Sequence, residues 1–247
     1  MKLVSCLMLT IDRFEMTSRI WEHNWLNRGH ADAEMLVADN GSKDRRIVDF
    51  FATRTAYHRV NRWNEGVAHA FNQLFLRSKG RYICLLGNDI ELPPGWLAEM
   101  VKYADGVPNS GIIGMDWGHS GLPPLTQQNG IWGHWLTPQL NRVFGVWVMR
   151  REVIEKLGFF PEHYDVYGLE DSHFNERVNR AGFKSVYVPA THFKSKHIGT
   201  GEHDAGEYRE MKNKSMAQNL AFLHDDVARW DRGESLYSPL PEMKEPL

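Results

Sequence analysis

Several short constellations in this sequence carry residue types that can do chemistry. Asp89 and Glu91 follow directly on the apolar run Tyr82-Ile83-Cys84-Leu85-Leu86-Gly87. Hard divalent cations such as Mg2+ take oxygen ligands and keep several waters, so one or two carboxylates plus substrate phosphates can hold one. The abrupt change from apolar run to acid marks Asp89 as a candidate ligand rather than a solvated side chain. Glu170 and Asp171 follow Gly168-Leu169 at the start of an amphipathic stretch. Acids in that position cap a helix or meet its dipole, or they present a general base. Asp39-Asn40-Gly41-Ser42 ends another apolar run. Read alone, it is a strand-to-helix turn in which Ser42 or Asn40 caps the next helix. Asn64-Glu65-Gly66 opens a periodic stretch that reaches Asn72. A helix start of that kind suits phosphate or ribose, and equally an ordinary cap. His192 and His197 come late in the chain. Lone histidines are more often structural, but one beside an acid completes a metal shell.

These residues need elements to position them. Apolar runs at residues 3–10, 34–39, 57–61, 81–87 and 110–115 read as strands. Amphipathic stretches at 17–27, 43–52, 65–77 and 94–103 alternate with them as helices. This order predicts a single α/β domain with a mostly parallel, Rossmann-like sheet flanked by helices. Such sheets bind ligands at the carboxyl ends of their strands, which singles out Thr10, Asp39 and Asp89. From 116 to 141 the periodicity stops, in a segment rich in Gly, Pro, His and Trp that includes Trp117, Trp132 and Trp135. Long irregular stretches inside a domain are usually functional or disordered, and the aromatic content argues against disorder. A strand at 143–149, helices at 151–157 and 170–181, a strand at 184–188 and a helix at 207–223 complete the pattern. The expected domain is 1–224, with halves 1–115 and 116–224, followed by a tail at 225–247.

Composition sets outer limits. The 247 residues carry a formal net charge of -2, so no global field favours nucleic acid. The pairs Arg45-Arg46, Arg150-Arg151 and Lys194/Lys196 read as solvated surface. Cys6 and Cys84 each sit in an apolar run, which fits buried thiols in a reducing, cytoplasmic setting. The N-terminal apolar run is too short to span a bilayer and precedes no small-residue cleavage site. No later run is long enough for a membrane span. A dinucleotide-dependent oxidoreductase would need a G-x-G-x-x-G turn after a strand, which the chain lacks.

Taken in order, these segments resemble the inverting, family-two type glycosyltransferases of the GT-A fold, over residues 3 to roughly 200. Leu9-Thr10-Ile11-Asp12-Arg13 resembles the family's first nucleotide-contacting turn, and Asp39-Asn40-Gly41-Ser42 its base-binding acid and turn. Asn64 to Asn72 resembles its N-x-G-x-x-x-A-x-N helix start. Leu86-Gly87-Asn88-Asp89 falls where the family carries its D-x-D metal motif, with Gly87 in place of the first acid. Phe144-Gly145-Val146-Trp147 resembles the acceptor-side strand, and Glu170-Asp171 the E-D motif whose Asp is the catalytic base. His197-Ile198-Gly199 resembles the late metal-binding histidine, with His192 as its rival.

The resemblance implies a nucleotide-sugar donor, a UDP-sugar, held by Thr10, Asp12, Arg13, Asp39, Asn64, Gly66 and Asn88. It implies Mn2+ or Mg2+ on Asp89 and His197, and catalysis by Asp171 with Glu170. Trp117, Trp132 and Trp135 would stack on the acceptor, whereas Trp147, inside a strand, reads as core. The acceptor stays open among a glycan, a small molecule, a protein and a modified nucleic-acid base. A retaining enzyme of the same fold would not use Asp171 as a base. A non-catalytic sugar- or nucleotide-binding module would explain the tryptophans but leave the acids without a role.

Overall fold

The computed structural model describes residues 3–115, 122–136, 145–189, 196–198 and 206–239. β1 (Val4–Thr10), α1 (Phe14–Leu26), β2 (Ala33–Asp39), α2 (Arg45–Ala52), β3 (Tyr57–Val60), α3 (Val67–Arg77), β4 (Tyr82–Leu86), β5 (Ile90–Glu91), α4 (Trp96–Gly106) and β6 (Ser110–Met115) follow in order. Then come β7 (Leu125–Gln128), β8 (Ile131–Trp135), β9 (Val146–Arg150), α5 (Arg151–Leu157), α6 (Glu170–Arg180), β10 (Lys184–Val188), β11 (Lys196–His197) and α7 (Gly206–Asp231).

Nine strands form one sheet in the order β3-β2-β1-β4-β9-β6-β10-β8-β7. Successive side chains of a strand point to opposite faces. Cys6 and Met8 therefore join Met35, Val37, Phe51 and Trp96 on one side, while Leu7 joins Leu36, Leu74, Trp147 and Phe174 on the other. Helices cover both faces, and strands buried on both faces are apolar without alternation. The α/β expectation holds. The sheet is mixed, however: parallel pairing is confined to β3-β2-β1-β4 and to β6 with β10. β9 lies between β4 and β6 and is antiparallel to both.

Two further elements depart from the sequence reading. Part of the segment read as irregular is a hairpin, β7-β8, closed by Asn129-Gly130 with φ of 50° and 80°. An Asn-Gly pair with both residues at positive φ gives the turn whose twist matches paired strands. The Trp, His and Gly residues of β8 mask the alternation that would otherwise mark a strand. The last helix also continues past Leu223 to Asp231, so the expected boundary at 224/225 falls inside it. Its buried stripe runs Ser215, Asn219, Leu223, Asp226, Trp230, a helical spacing that the acidic pair Asp225-Asp226 obscures. Residues 143 and 144 of the expected strand at 143–149 lie outside the described residues, and β9 begins at Val146.

The start of β9 packs tightly on β5. A Cβ added at Gly145 would lie 1.7 Å from Ile90 Cδ1 and 2.4 Å from its Cγ1, and Ile90 is itself buried. Gly145→Ala is expected to destabilise the fold by about 1–3 kcal/mol through overpacking. Chemical denaturation measures this directly. An unchanged midpoint would mean that Ile90 has room to yield.

Candidate active site

The carboxyl ends of β1, β2 and β3 meet at one edge. Thr10 and Asp39 are register partners there, and the Asn40 N–H donates to the Thr10 carbonyl at 2.7 Å. A ladder of asparagines fixes this edge. Asn61 donates to Asn40 Oδ1 (2.9 Å), Asn40 Nδ2 donates to Asn64 Oδ1 (2.8 Å), and Asn64 Oδ1 also accepts the Gly66 N–H (3.0 Å). Asn64 thus closes the turn into α3, as a cap would. Asn40 and Asn61 carry as much of the geometry as the residues singled out from sequence. Their signal was a cluster of asparagines at the ends of two strands.

The β1 turn is conformationally unusual. Asp12 and Arg13 take φ of 50° and 58°, a left-handed region that L side chains seldom adopt. The Asp12 carboxylate accepts the N–H groups of Lys43 (2.7 Å) and Asp44 (3.0 Å), so it ties this turn to the β2-α2 turn. The Asp12 N–H donates to Ser42 Oγ at 2.7 Å, and Ser42 in turn donates to Asp39 Oδ1 through its N–H and its hydroxyl. Burial pushes the Asp39 carboxyl up from its ordinary value, against the lowering effect of the two Ser42 bonds.

Three buried polar atoms on these turns have no hydrogen-bond partner among the described residues: Thr10 Oγ1, Arg13 Nε and Asp39 Oδ2. Buried polar groups nearly always find partners, so such atoms call for a ligand or ordered water. Together they offer a hydroxyl, a cationic donor and a carboxylate acceptor.

The candidate metal acid leaves β4 on the same edge. The Gly87 N–H donates to the Gly145 carbonyl at 2.6 Å, and a Cβ at Gly87 would lie 2.8 Å from that oxygen. With β9 this close, position 87 favours glycine over any residue with a side chain. Asn88 Nδ2 donates to Thr17 Oγ1 at 3.1 Å, which ties the turn to α1. The Asn24 amide holds the next strand through the Ile90 carbonyl (2.7 Å) and the Leu92 N–H (2.9 Å).

β11 pairs with β5 beside this acid. His197 is the register partner of Ile90, and the Ile198 N–H donates to the Asp89 carbonyl at 2.8 Å. The backbone of the late histidine is therefore next to Asp89, although the His197 side chain, His192 and Trp117 lie outside the described residues. No group of three or more potential ligands exists among the described residues. Asp89 is the candidate carboxylate ligand, with a histidine-bearing strand alongside. That fits an ion that keeps its waters and takes most ligands from substrate phosphates.

The acidic pair opens α6 after two residues at positive φ, Gly168 (95°) and Leu169 (69°). Glu170 is buried and Asp171 partly so. Asp171 Oδ1 accepts the Ser172 N–H at 2.6 Å. Burial pushes the Glu170 carboxyl up to about 8, helped by the Asp171 charge, and burial pushes Asp171 up to about 6. Two adjacent buried acids cannot both ionise cheaply, so they hold one proton between them near neutral pH. The segment before them reaches the β3-α3 turn: the Val67 N–H donates to the Val166 carbonyl at 3.1 Å, at the start of α3. The close approach that Gly66 allows is with this Val166 backbone, 3.2 Å from a Cβ at Gly66.

The remaining aromatic and basic residues are also placed. Trp147 is core, packed against Phe160 and Phe174. Trp135 is buried and donates to the Thr126 carbonyl within the hairpin. Trp132 is 51% exposed, and the register of β8 on β10 puts it toward the carboxyl end of β10. Arg150 and Arg151 spend their guanidinium groups on the carbonyls of Ala104, Gly80 and Ser78, at the opposite edge of the sheet. Among the described residues, no helix is long and apolar enough to cross a membrane.

Comparison with known proteins bears on the fold and the family. The fold is similar to the mannosyltransferase PcManGT from Pyrobaculum calidifontis in complex with GDP-Man and Mn2+, with a TM-score of 0.58 and 20% identity over 75% of this chain and 54% of that one. It is similar to S. aureus TarS 1-349, with a TM-score of 0.58 and 16% identity over 76% of this chain and 58% of that one. It is also similar to GalNAc-T7 with UDP, GalNAc and Mn2+, with a TM-score of 0.62 and 16% identity over 81% and 44%. The chain thus spans between 44% and 58% of the length of these structures. No curated protein matches it in sequence. Residues 22–158 match the family model of glycosyl transferase family 2, more than half of the chain, and the protein belongs to that family.

Proposed function

We propose that this glycosyltransferase moves a sugar from a nucleoside diphosphate donor, a UDP-sugar, to an acceptor hydroxyl by a single inverting displacement. The observation that carries the reading is the trio of unpartnered buried atoms, Thr10 Oγ1, Arg13 Nε and Asp39 Oδ2, at the carboxyl ends of neighbouring strands. Asp39 Oδ2 accepts an N–H of the base, while Thr10 and Arg13 meet ribose and phosphate. Asp89, with His197 from the adjoining strand, would hold Mn2+ or Mg2+, and such an ion would supply positive charge to offset that of the donor's diphosphate.

Asp171 takes the proton of the acceptor hydroxyl as that oxygen forms its bond to the anomeric carbon. The bond from that carbon to the diphosphate oxygen breaks, and the nucleoside diphosphate leaves with the electron pair. The acidic pair holds one proton near neutral pH, and in the form with Asp171 ionised that carboxylate is able to act as a base. Trp132 offers an exposed ring for an acceptor's apolar face.

The test is a donor screen. The protein is incubated with UDP- and GDP-sugars in Mn2+, in Mg2+ and in chelator, and released nucleoside diphosphate is measured. Metal-dependent release from one UDP-sugar is the expected result, and the anomeric configuration of the product, read by NMR, is expected to be inverted. A folded protein that releases no nucleotide from any donor in the screen overturns the donor assignment. A product of retained configuration overturns the role of Asp171.

A further inference from the structure

Asn219 and Ser215 are completely buried polar residues one turn apart on α7, in a stripe that continues with Leu223, Asp226 and Trp230. Buried polar groups lower stability unless they are hydrogen-bonded. Here their partners are backbone atoms of one turn. Asn219 Oδ1 accepts the Asp165 N–H at 2.8 Å, and its Nδ2 donates to the carbonyls of Gly168 (2.7 Å) and Tyr167 (3.2 Å). Ser215 Oγ accepts the Tyr167 N–H and donates to the Tyr167 carbonyl, both at 2.8 Å. The side chain of Met216 fills the space where a Cβ on Gly168 would be.

This turn leads directly into Glu170-Asp171. It holds two left-handed residues, one of them Leu169, a conformation that costs an L residue roughly 1–2 kcal/mol. Its far side is bonded to the start of α3 through Val166. The turn is therefore clamped between the nucleotide-binding edge and α7.

We propose that Asn219 is a positioning residue for Asp171: its amide, delivered by α7, sets the turn that aims the carboxylate at the acceptor. The inference rests on the reading of Asp171 as the base. A misplacement of about 1 Å in a reacting group can cost on the order of 100-fold in rate. The unpartnered atoms proposed to meet the donor lie on the β1 and β2 turns, and the Asn219 amide makes its bonds to 165–168 instead.

Two variants test this, Asn219→Ala and the milder Ser215→Ala, assayed with the donor that the screen turns over. Binding is followed separately with UDP and Mn2+. Asn219→Ala is expected to lower kcat roughly 10- to 100-fold, with donor KM and UDP affinity unchanged. Amide hydrogen exchange is expected to quicken across 165–171 and not across β1 or β4. Ser215→Ala is expected to shift the same readouts less. A folded Asn219→Ala protein with wild-type kcat overturns the proposal, as does a loss shared equally by kcat and UDP binding. If Asn219→Ala does not fold, Ser215→Ala decides: quickened exchange at 165–171 with unchanged kcat overturns it. Asp171→Asn is measured in parallel. Full activity there removes the base reading and this inference with it. An inactive Asp171→Asn beside a fully active Asn219→Ala removes this inference alone.

Discussion

Asp171→Asn is expected to lose roughly 100- to 10,000-fold in kcat, the range that follows removal of a general base. UDP binding is expected to persist, because the turns of β1, β2 and β4 are untouched. The asparagine keeps the shape and still accepts the Ser172 N–H, so the loss would be chemical rather than structural. The pH dependence adds a second signature. The wild-type rate is expected to fall as pH drops through about 6, where the acidic pair takes up its second proton.

Stability should move the opposite way. Both carboxyls have folded pKa values raised above their ordinary values by burial. Their neutral forms suit the fold, so that contribution is complete below about pH 4 and is lost as pH rises through 6 to 8. Asp171→Asn, which never ionises, is therefore expected to melt above the wild type at pH 8, with the gap closing toward pH 4. A variant that is inactive yet no more stable at pH 8 would show that burial does not disfavour this charge.

The second large effect is expected at Asp89. Replacing a carboxylate that supports several kcal/mol of transition-state stabilisation corresponds to roughly 100- to 1,000-fold in rate. For Asp89→Asn we expect that loss together with a weaker response to Mn2+ in a titration of donor turnover. The backbone bond from Ile198 uses the Asp89 carbonyl, not its side chain. The β5-β11 ladder should survive the change, and circular dichroism would show it. If Asp89→Asn retained wild-type Mn2+ dependence, the ion would be held by other residues.

Much of this was legible in the residue order. Strands buried on both faces announce themselves, as β1 does with Cys6 and Met8 on one side and Leu7 on the other. The acids were legible because each follows a strand or opens a helix. The supports of those acids were not. Asn219 looks like any polar residue on an exposed helix, since its partners lie some fifty residues earlier in a turn. Gly145 and Gly87 carry no mark of their mutual contact. Asp226 falls in the expected tail, whereas in the fold it lies inside α7 and meets His173 of α6 at 3.1 Å. The β7-β8 hairpin carries its sequence signal in the Asn129-Gly130 turn rather than in the alternation of its strands.

The place of β9 has a consequence for how the chain assembles. β4 takes β1 on one side, and its other side waits for a strand some sixty residues later. Through synthesis of the intervening residues that edge has unpaired N–H and C=O groups, a template for any extended segment nearby. β6 is made first and in sequence order is the obvious neighbour, yet the native sheet sets it one place further out. A nascent chain that zips β6 onto β4 must reopen before β9 can enter. For such a chain the slow step of folding is expected to be a strand insertion rather than a collapse, and the interval before it the one most exposed to aggregation.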